Sequence, residues 1–467
     1  MEVKVASCSV EQLFKGMGIT ASDKTIIKGG LHLPEYQRPY RWKEEQLKRL
    51  LKDLKTHFVP PKDAQPANHD FYIGSIILHQ QTNDAGKQLL NIIDGQQRLT
   101  TLALIAYLKD GSETSLTYDS PISQNQIRKN IKWLKDQDLK WLKLASVNIT
   151  LVVTHSEDDA YRFFETQNTG GVRLGGVDII KAHHLRATPQ SQQNDYAKQW
   201  EKLGSLDVLI EAILKARYWS KLEFRPLPNH RQILEKKNVI VNELAEQTGQ
   251  QKTDIAYQQI SVINKNGDIT PFAHSNGYAI RQPLNAGINA IHYLEYFYAL
   301  RRQLLVEKTD PQLNDFYDFY HGFLIKRDGC DYLKNLFDST VLLYASQFGT
   351  QHLYQAVLWL FRVVYSPRVK NEKVVREDSV PKLVRESPVF DWILMSYNHE
   401  QCIERLKKYS YVVDPKNIPK DDKTTTKKRF IVATIKTLGM EVEDNIAASY
   451  DSALIKAIEK ITYQGES

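Results

Sequence analysis

The stretch Leu90-Asn-Ile-Ile-Asp-Gly-Gln-Gln-Arg-Leu-Thr-Thr-Leu102 limits what this chain can fold into more than any other. An apolar run breaks at Asp94-Gly95 into polar residues that open a helical pattern, which predicts a strand, a tight turn and a helix start. Gly95 admits close approach of a ligand to the backbone, and the amides of a helix start favour an anion, so the corner is a natural phosphate site. Gln96, Gln97 and Arg98 are expected to project from it. As plain scaffold, the same corner would use Asp94 as a helix cap and leave Arg98 solvated.

Two other segments point to a ligand. In Leu33-Pro-Glu-Tyr-Gln-Arg-Pro-Tyr-Arg-Trp42, two arginines, one glutamine and three aromatics fall within seven residues. Arg38 and Arg41 can fork onto phosphate oxygens, and Tyr36, Tyr40 and Trp42 offer flat faces to a base. For Trp42 a core anchor is the preferred reading. In Tyr161 to Lys181 an aromatic helix runs into a loop with four glycines and then another helix, with Asn168 at the turn. Repeated glycines expose amides, and Asn168, Arg173, Asp178 and Lys181 supply polar reach; a plain connector fits the same residues.

The blocks Tyr36-Gln-Arg-Pro-Tyr-Arg-Trp42, Phe71-Tyr-Ile-Gly-Ser-Ile-Ile-Leu78, Ile92 to Leu102 and Phe164 to Leu174 resemble, in order and spacing, the N-terminal domain family of GmrSD-type restriction enzymes. The resemblance covers roughly residues 8 to 190, and the helical remainder only in general character. It implies a ParB/sulfiredoxin-like α/β domain that binds and hydrolyses nucleoside triphosphates in type IV defence against phage DNA with modified bases or backbone. The DGQQR block, Asp94-Gly95-Gln96-Gln97-Arg98, is the NTPase signature of that family. Many such proteins carry a C-terminal HNH nuclease, which needs a histidine base beside a metal ligand. Beyond His352 this chain has only His399, which places it with GmrS-like subunits whose nuclease is a separate polypeptide, or with members that do not cut.

Composition sets only bounds. At 467 residues with 42% hydrophobic and 25% charged residues the chain is long enough for two or three domains of ordinary composition. A net charge of +7 permits a phosphate-rich partner but is too mild to prove one. No apolar run reaches membrane-span length and the N-terminus lacks a signal-peptide pattern, so a cytoplasmic location is expected. Cys8, Cys330 and Cys402 are far apart and are expected to be free thiols.

Along the chain, residues 3 to 20 look like an entry helix, followed by an extended stretch near Thr25. A helix is expected at 43 to 58, a hairpin of two strands turning at Asn83-Asp-Ala-Gly86, a helix at 131 to 144 and a strand at Val147 to Val153, with His155 in a loop. After about residue 190 long helical patterns dominate. The stripes at 288 to 306 and 351 to 365 read as bundle core. Asn264 to Arg281 reads as a polar loop that could touch DNA. Pro415 to Arg429, with six basic and two acidic residues, reads as a basic linker.

The expectation is therefore α+β: a ParB-like nucleotide-binding domain at 1–190, a helical domain at 191–410, and a basic linker with a C-terminal helical segment at 411–467. The function expected is an NTP-hydrolysing sensor subunit of a modification-dependent restriction system, acting on modified phage DNA with a separate HNH-type nuclease. Asp94, Gln97 and Arg98 are the expected catalytic residues and Asp94 the ligand of an expected Mg²⁺. Gln37, Arg38, Gly95, Gln96 and Asn168 are expected to bind nucleotide, and Tyr36, Tyr40 and Arg41 to touch DNA or a base. A nucleotide-switched DNA clamp without turnover, or a non-catalytic recruitment protein, would keep the same corner.

Overall fold

A computed structural model describes residues 3–59, 70–83, 85–156, 159–160, 175–250, 253–258, 261–263, 269–271, 276–372, 374–418 and 425–464. They form two compact units: residues 1–178 with 193–201, and residues 179–192 with 202–467. Asn168 and Arg173 lie outside the described residues.

The first unit is built on a mixed five-stranded sheet: β1 (Val3–Ser9), β2 (Gly30–His32), β3 (Phe71–Thr82), β4 (Gln88–Asp94) and β5 (Val147–Thr154), in spatial order β1-β5-β3-β4-β2. The β3–β4 pair is the expected hairpin, with Gly86 at φ +75° in its turn. Strand β5 then enters between β1 and β3, antiparallel to the first and parallel to the second. The helices described in this unit include α1 (Val10–Phe14), α2 (Glu44–Phe58), α3 (Gln96–Asp110) and α4 (Pro121–Lys135). Leu47, Leu50, Leu51 and Leu54 of α2 bury at helical spacing in one core with Ile76, Leu78, Ile92, Leu99, Leu102, Leu151 and Val153.

Two sequence expectations fail here. Residues 3 to 9 are a strand, not an entry helix, because they pair with β5 along their length, with Ala6 and Cys8 buried on one face and Val5 and Ser7 exposed on the other; the helix is confined to Val10–Phe14 and opens on a Ser9/Gln12 capping box. The helix expected at 131 to 144 runs instead from Pro121 to Lys135. Pro121 sits at its first position, and Trp141 lies beyond its end, with its indole nitrogen bonded to the Asp138 carbonyl at 2.7 Å.

The second unit is helical apart from short two-stranded ladders. Its elements include α5 (Asp207–Tyr218), α6 (Ile233–Val241), α7 (Ile288–Arg301), α8 (Asp331–Phe348), α9 (Leu353–Val364), α10 (Ser379–Glu386), α11 (His399–Lys407), α12 (Thr426–Leu438) and α13 (Ile446–Gln464). The aromatic stripes are core, as expected: Tyr293 and Phe297 of α7 and Trp359 and Phe361 of α9 are all at most 1% exposed. Arg281, in the polar loop, is engaged by the Ala216 and Trp219 carbonyls and by Asp391.

Described residues on both sides of the expected basic linker are anchored. Arg362 of α9 donates through Nε and Nη2 to both carboxylate oxygens of Asp451 on α13, each at 2.7 Å, and to the Tyr409 carbonyl. Lys427, counted in the sequence as part of a basic linker, is fully buried with Nζ 2.6 Å from the Asp414 carbonyl. Arg362 thus holds Tyr409 and Asp451 to α9, and Lys427 is held to Asp414. Residues 419–424 of that stretch lie outside the described residues. All three cysteines are buried and free, and burial raises each thiol. Among the described residues no helix is long and apolar enough to cross a membrane.

Candidate functional site

At the end of β4 the backbone turns through Gly95, in the left-handed region at φ +91°, and enters α3 at Gln96. The strand, turn and helix start are those expected. The reason for glycine is different. A Cβ at Gly95 would stand 2.1 Å from Ile76 Cδ1, so the core itself closes on the side of the backbone where a side chain would stand.

The segment Gln37 to Trp42 comes to this corner although 57 residues separate Gln37 from Asp94. It belongs to no helix or strand, and its backbone groups are satisfied by side chains. Gln37 Nε2 donates to the Ile93 carbonyl at 3.2 Å. Gln96 Nε2 donates to the Arg38 carbonyl at 2.9 Å. Gln97 Oε1 accepts from the amides of Arg41 at 2.9 Å and Trp42 at 3.1 Å, while its Nε2 donates to the Pro39 carbonyl at 3.2 Å. From α4, Ser123 Oγ accepts the Tyr40 amide at 2.9 Å and Asn130 Nδ2 donates to the Trp42 carbonyl at 2.7 Å. The two glutamines of the DGQQR block thus act as a surrogate strand for an irregular segment.

That changes several assignments. Gln97, expected to orient water, is only 7% exposed, and both ends of its amide are committed to backbone. It is a positioning residue. Tyr40, expected at a base, is fully buried: its hydroxyl accepts from Asn130 Nδ2 at 2.9 Å and donates to Thr101 Oγ1 at 2.8 Å, and Thr101 in turn donates to the Gln97 carbonyl. Tyr36 is 4% exposed and likewise offers no open face for stacking. Trp42 packs against the hydrophobic core, as preferred.

Arg98 is also engaged. Its Nη1 lies 3.0 Å from the Ile73 carbonyl and its Nη2 2.8 Å from the Ser75 carbonyl and 3.3 Å from Asp94 Oδ2. The guanidinium straddles Gly74, at φ +106°, where β3 shifts register against β5 between Tyr72 and Ser75. A Cβ at Gly74 would meet Nη1 at 2.5 Å. The Phe71-Tyr-Ile-Gly-Ser block is therefore the seat of the Arg98 side chain. Arg98 is not the solvated first-turn residue of a plain scaffold, nor a cation left free for phosphate.

What remains open to a ligand is a smaller set. Arg41 is exposed and Arg38 half-buried, each on a backbone that the glutamines hold. The Asp94 carboxylate keeps 31% side-chain exposure. Gln96 Oε1 is buried without a hydrogen-bond donor. Of the other polar candidates, Lys181 is 4% exposed, Asp178 opens the helix Gly176–Ala187 and His155 is exposed. Sequence reasoning missed Ser123 and Asn130. Their signal was spacing, since they fall seven apart on the buried stripe that ends at Leu134 of α4.

The helical unit also revises the histidine count. His352 and His399 stack with ring centroids 4.6 Å apart, so a second histidine does stand beside His399. Both ring nitrogens of His399 are engaged, by the Tyr344 hydroxyl and Gln355 Oε1 at 2.5 Å each, and burial next to His352 lowers its pKa to about 4. Among the described residues no group of three or more His, Cys, Asp or Glu could hold a metal ion.

Residues 192–422 match the model of a family of unknown function, DUF7834, and residues 19–185 match the model described as GmrSD restriction endonuclease, N-terminal domain. No curated protein matches the chain. The corner and the segment stapled to it both fall inside the second of these matches, so this part of the chain is similar to the N-terminal domain of GmrSD restriction endonucleases.

Proposed function

We propose that the chain is a component of a restriction system whose N-terminal domain binds and hydrolyses a nucleoside triphosphate while sensing modified phage DNA, with cleavage left to a separate HNH-type nuclease. The observation that carries the nucleotide part is the stapled segment. The backbone of Arg38 and Arg41 is fixed to the start of α3 by Gln96 and Gln97, so two arginines stand on a segment next to the Asp94 corner with little backbone entropy left to lose. The triphosphate is held by Arg38 and Arg41, and Asp94 orients the attacking water.

Mg²⁺ fits this corner only as a one-carboxylate site. Asp94 would hold it together with triphosphate oxygens, a mode common for this ion, and Arg98 at 3.3 Å balances the same carboxylate. The ion would supply charge neutralisation at the transferring phosphoryl group. The ParB/sulfiredoxin-like ancestry of the fold belongs to the same proposal, supported by the mixed sheet and the family match.

One observation favours the alternative of a nucleotide-switched clamp without turnover. Gln97 and Arg98, the residues expected to share the chemistry with Asp94, are occupied by protein backbone. Phosphate release by purified protein with each of the four NTPs, with and without modified phage DNA, separates the two. Multiple turnovers that Asp94→Ala and Arg38→Ala abolish support hydrolysis. Saturable NTP binding with less than one phosphate released per chain leaves the clamp.

A further inference from the structure

The net charge of +7 is not spread along the chain. Residues 43–59 and 121–143, which are α2 and α4 with the turns beside them, hold eleven lysines and arginines against five acids, so 40 residues carry a surplus of six and the other 427 are close to balanced. All eleven cations are exposed, and among the described residues only Lys48 is in an ion pair, with Glu44 at 2.6 Å. On α2, Lys48, Lys52 and Lys55 recur at i, i+4 and i+7, off the face of leucines that enters the core. On α4, Arg128, Lys132 and Lys135 repeat that spacing, turned away from the buried Asn130 and Leu134.

The two stretches adjoin one another at both ends. Asn130 Nδ2 donates at 2.7 Å to the carbonyl of Trp42, at the entry to α2, and the ring of Trp141 lies 6.3 Å from that of Phe58, the last residue of α2. Like charges gathered on one surface repel and work against the compact state, and solubility alone is served by interspersed signs. A face that collects unpaired cations on two helices is therefore matched to a polyanion. Each helix has 15 residues and is about 22 Å long, and duplex DNA of that length carries about a dozen phosphate charges. A bilayer fits less well, because the large exposed apolar side chains of these stretches are Val59 and Ile122 alone, one at an end of each.

We propose that this face of the N-terminal unit docks the sugar-phosphate backbone of duplex DNA, independently of sequence and of modification. The choice of DNA rests on the restriction-system function proposed above; the surface itself is distinct from the triphosphate corner and adjoins it at Trp42, whose amide is held by Gln97. Backbone contacts of this kind position a duplex without reading it, so they bring DNA to the corner.

The test is fluorescence anisotropy of the full chain with an unmodified duplex of about 30 base pairs, without NTP and over a range of salt. A Kd of about 1–100 µM near physiological salt is expected, with log Kd rising linearly with log salt. Lys52→Glu with Lys55→Glu, and separately Lys132→Glu with Lys135→Glu, are each expected to weaken binding at least about tenfold and to lower the salt slope by about two. Their circular dichroism spectra and their phosphate release without DNA are expected to be unchanged, since these side chains are exposed and outside the corner. Lys436→Glu with Lys456→Glu, at exposed positions of the helical unit, makes the same change in net charge and is expected to leave Kd within about twofold. The proposal is overturned if no salt-dependent binding is seen, if both patch variants bind like the wild type, if the Lys436/Lys456 variant loses as much, or if phosphatidylserine vesicles hold the chain as tightly as the duplex. Duplex binding that persists in a chain releasing no phosphate would remove the hydrolysis reading and leave this surface standing.

Discussion

Gln97 Oε1 lies 2.9 Å from the amide nitrogen of Arg41, 56 residues earlier in the chain, and the same oxygen also accepts the amide of Trp42. One side-chain amide therefore sets where the candidate phosphate ligand Arg41 stands and where Trp42 enters the core. Removing it leaves two donors and the Pro39 carbonyl without partners at a mostly buried position.

Gln97→Ala is accordingly expected to destabilise the N-terminal domain by about 2–4 kcal/mol, since each orphaned buried group costs about 1–3 kcal/mol and water recovers part of it. Gln97→Glu keeps the acceptor but turns a carboxylate oxygen toward the Pro39 carbonyl, so it is expected to be the milder change only at acid pH, where the protonated carboxyl can donate. Urea unfolding of both variants at acid pH checks the order; equal losses would mean that the two amide contacts do not carry the effect.

Arg98 and Gly74 are expected to be coupled. Gly74→Ala forces a Cβ into Arg98 Nη1 at 2.5 Å and places it at φ +106°, for an expected cost of about 2–3 kcal/mol. Arg98→Ala removes charge-assisted bonds to two strand carbonyls and costs about 2–4 kcal/mol. In the double variant the clash has no second party, so its loss falls short of the sum by about 1 kcal/mol or more. Strict additivity in unfolding experiments would contradict the contact.

The activity expected of Arg98→Ala follows from that coupling. It is expected to lower NTP turnover by about 100-fold or more, through displacement of Asp94 and the β3 bulge rather than through direct contact with phosphate. Turnover at the wild-type rate in folded protein would remove Arg98 from the mechanism.

Below neutral pH the helical unit should lose stability at His184. This ring is fully buried, with Nε2 donating to the Leu244 carbonyl at 2.7 Å and Nδ1 accepting the Gly287 amide at 3.3 Å, so only the neutral form satisfies both contacts. Burial first, then the neighbouring His183, lowers its pKa from 6.5 to about 3. The unfolded chain then binds the extra proton between these values. The contribution is full above pH 6.5 and is lost as pH falls toward 3, amounting to about 2 kcal/mol by pH 5. Unfolding followed between pH 8 and pH 5 should show this loss, and a flat profile would contradict it.

The chain alone is not expected to cleave DNA. His352 and His399 stack, yet both nitrogens of His399 are taken by Tyr344 and Gln355. Incubation of purified protein with Mg²⁺ or Mn²⁺, each NTP and modified phage DNA should give no nicks until a nuclease subunit is added. Nicking that disappears in Asp94→Ala would reveal a cleavage site in the chain itself.

Local pattern was enough to fix the strand-turn-helix at Asp94-Gly95, the α2 helix with its leucine stripe, the β3–β4 hairpin and the burial of the aromatic helices, because hydrophobic periodicity and turn chemistry act over a few residues. The polar Gln37-Arg38 pair set between aromatic residues also marked that segment as a neighbour of the DGQQR corner. Which atoms serve a ligand and which serve the fold was decided only in three dimensions. Gln97, Arg98 and Tyr40 are polar or amphipathic residue types that suit either task, and their partners, apart from Asp94 beside Arg98, lie 23 to 90 positions away in the sequence. Strand β1 was hidden for the same reason: seven residues of mixed polarity become a sheet edge only when β5, more than 130 residues later, arrives to pair with them. A residue's chemistry is written in its side chain, but whether that chemistry is spent on backbone or left for a ligand depends on which unsatisfied groups the tertiary fold brings within about 3 Å of it.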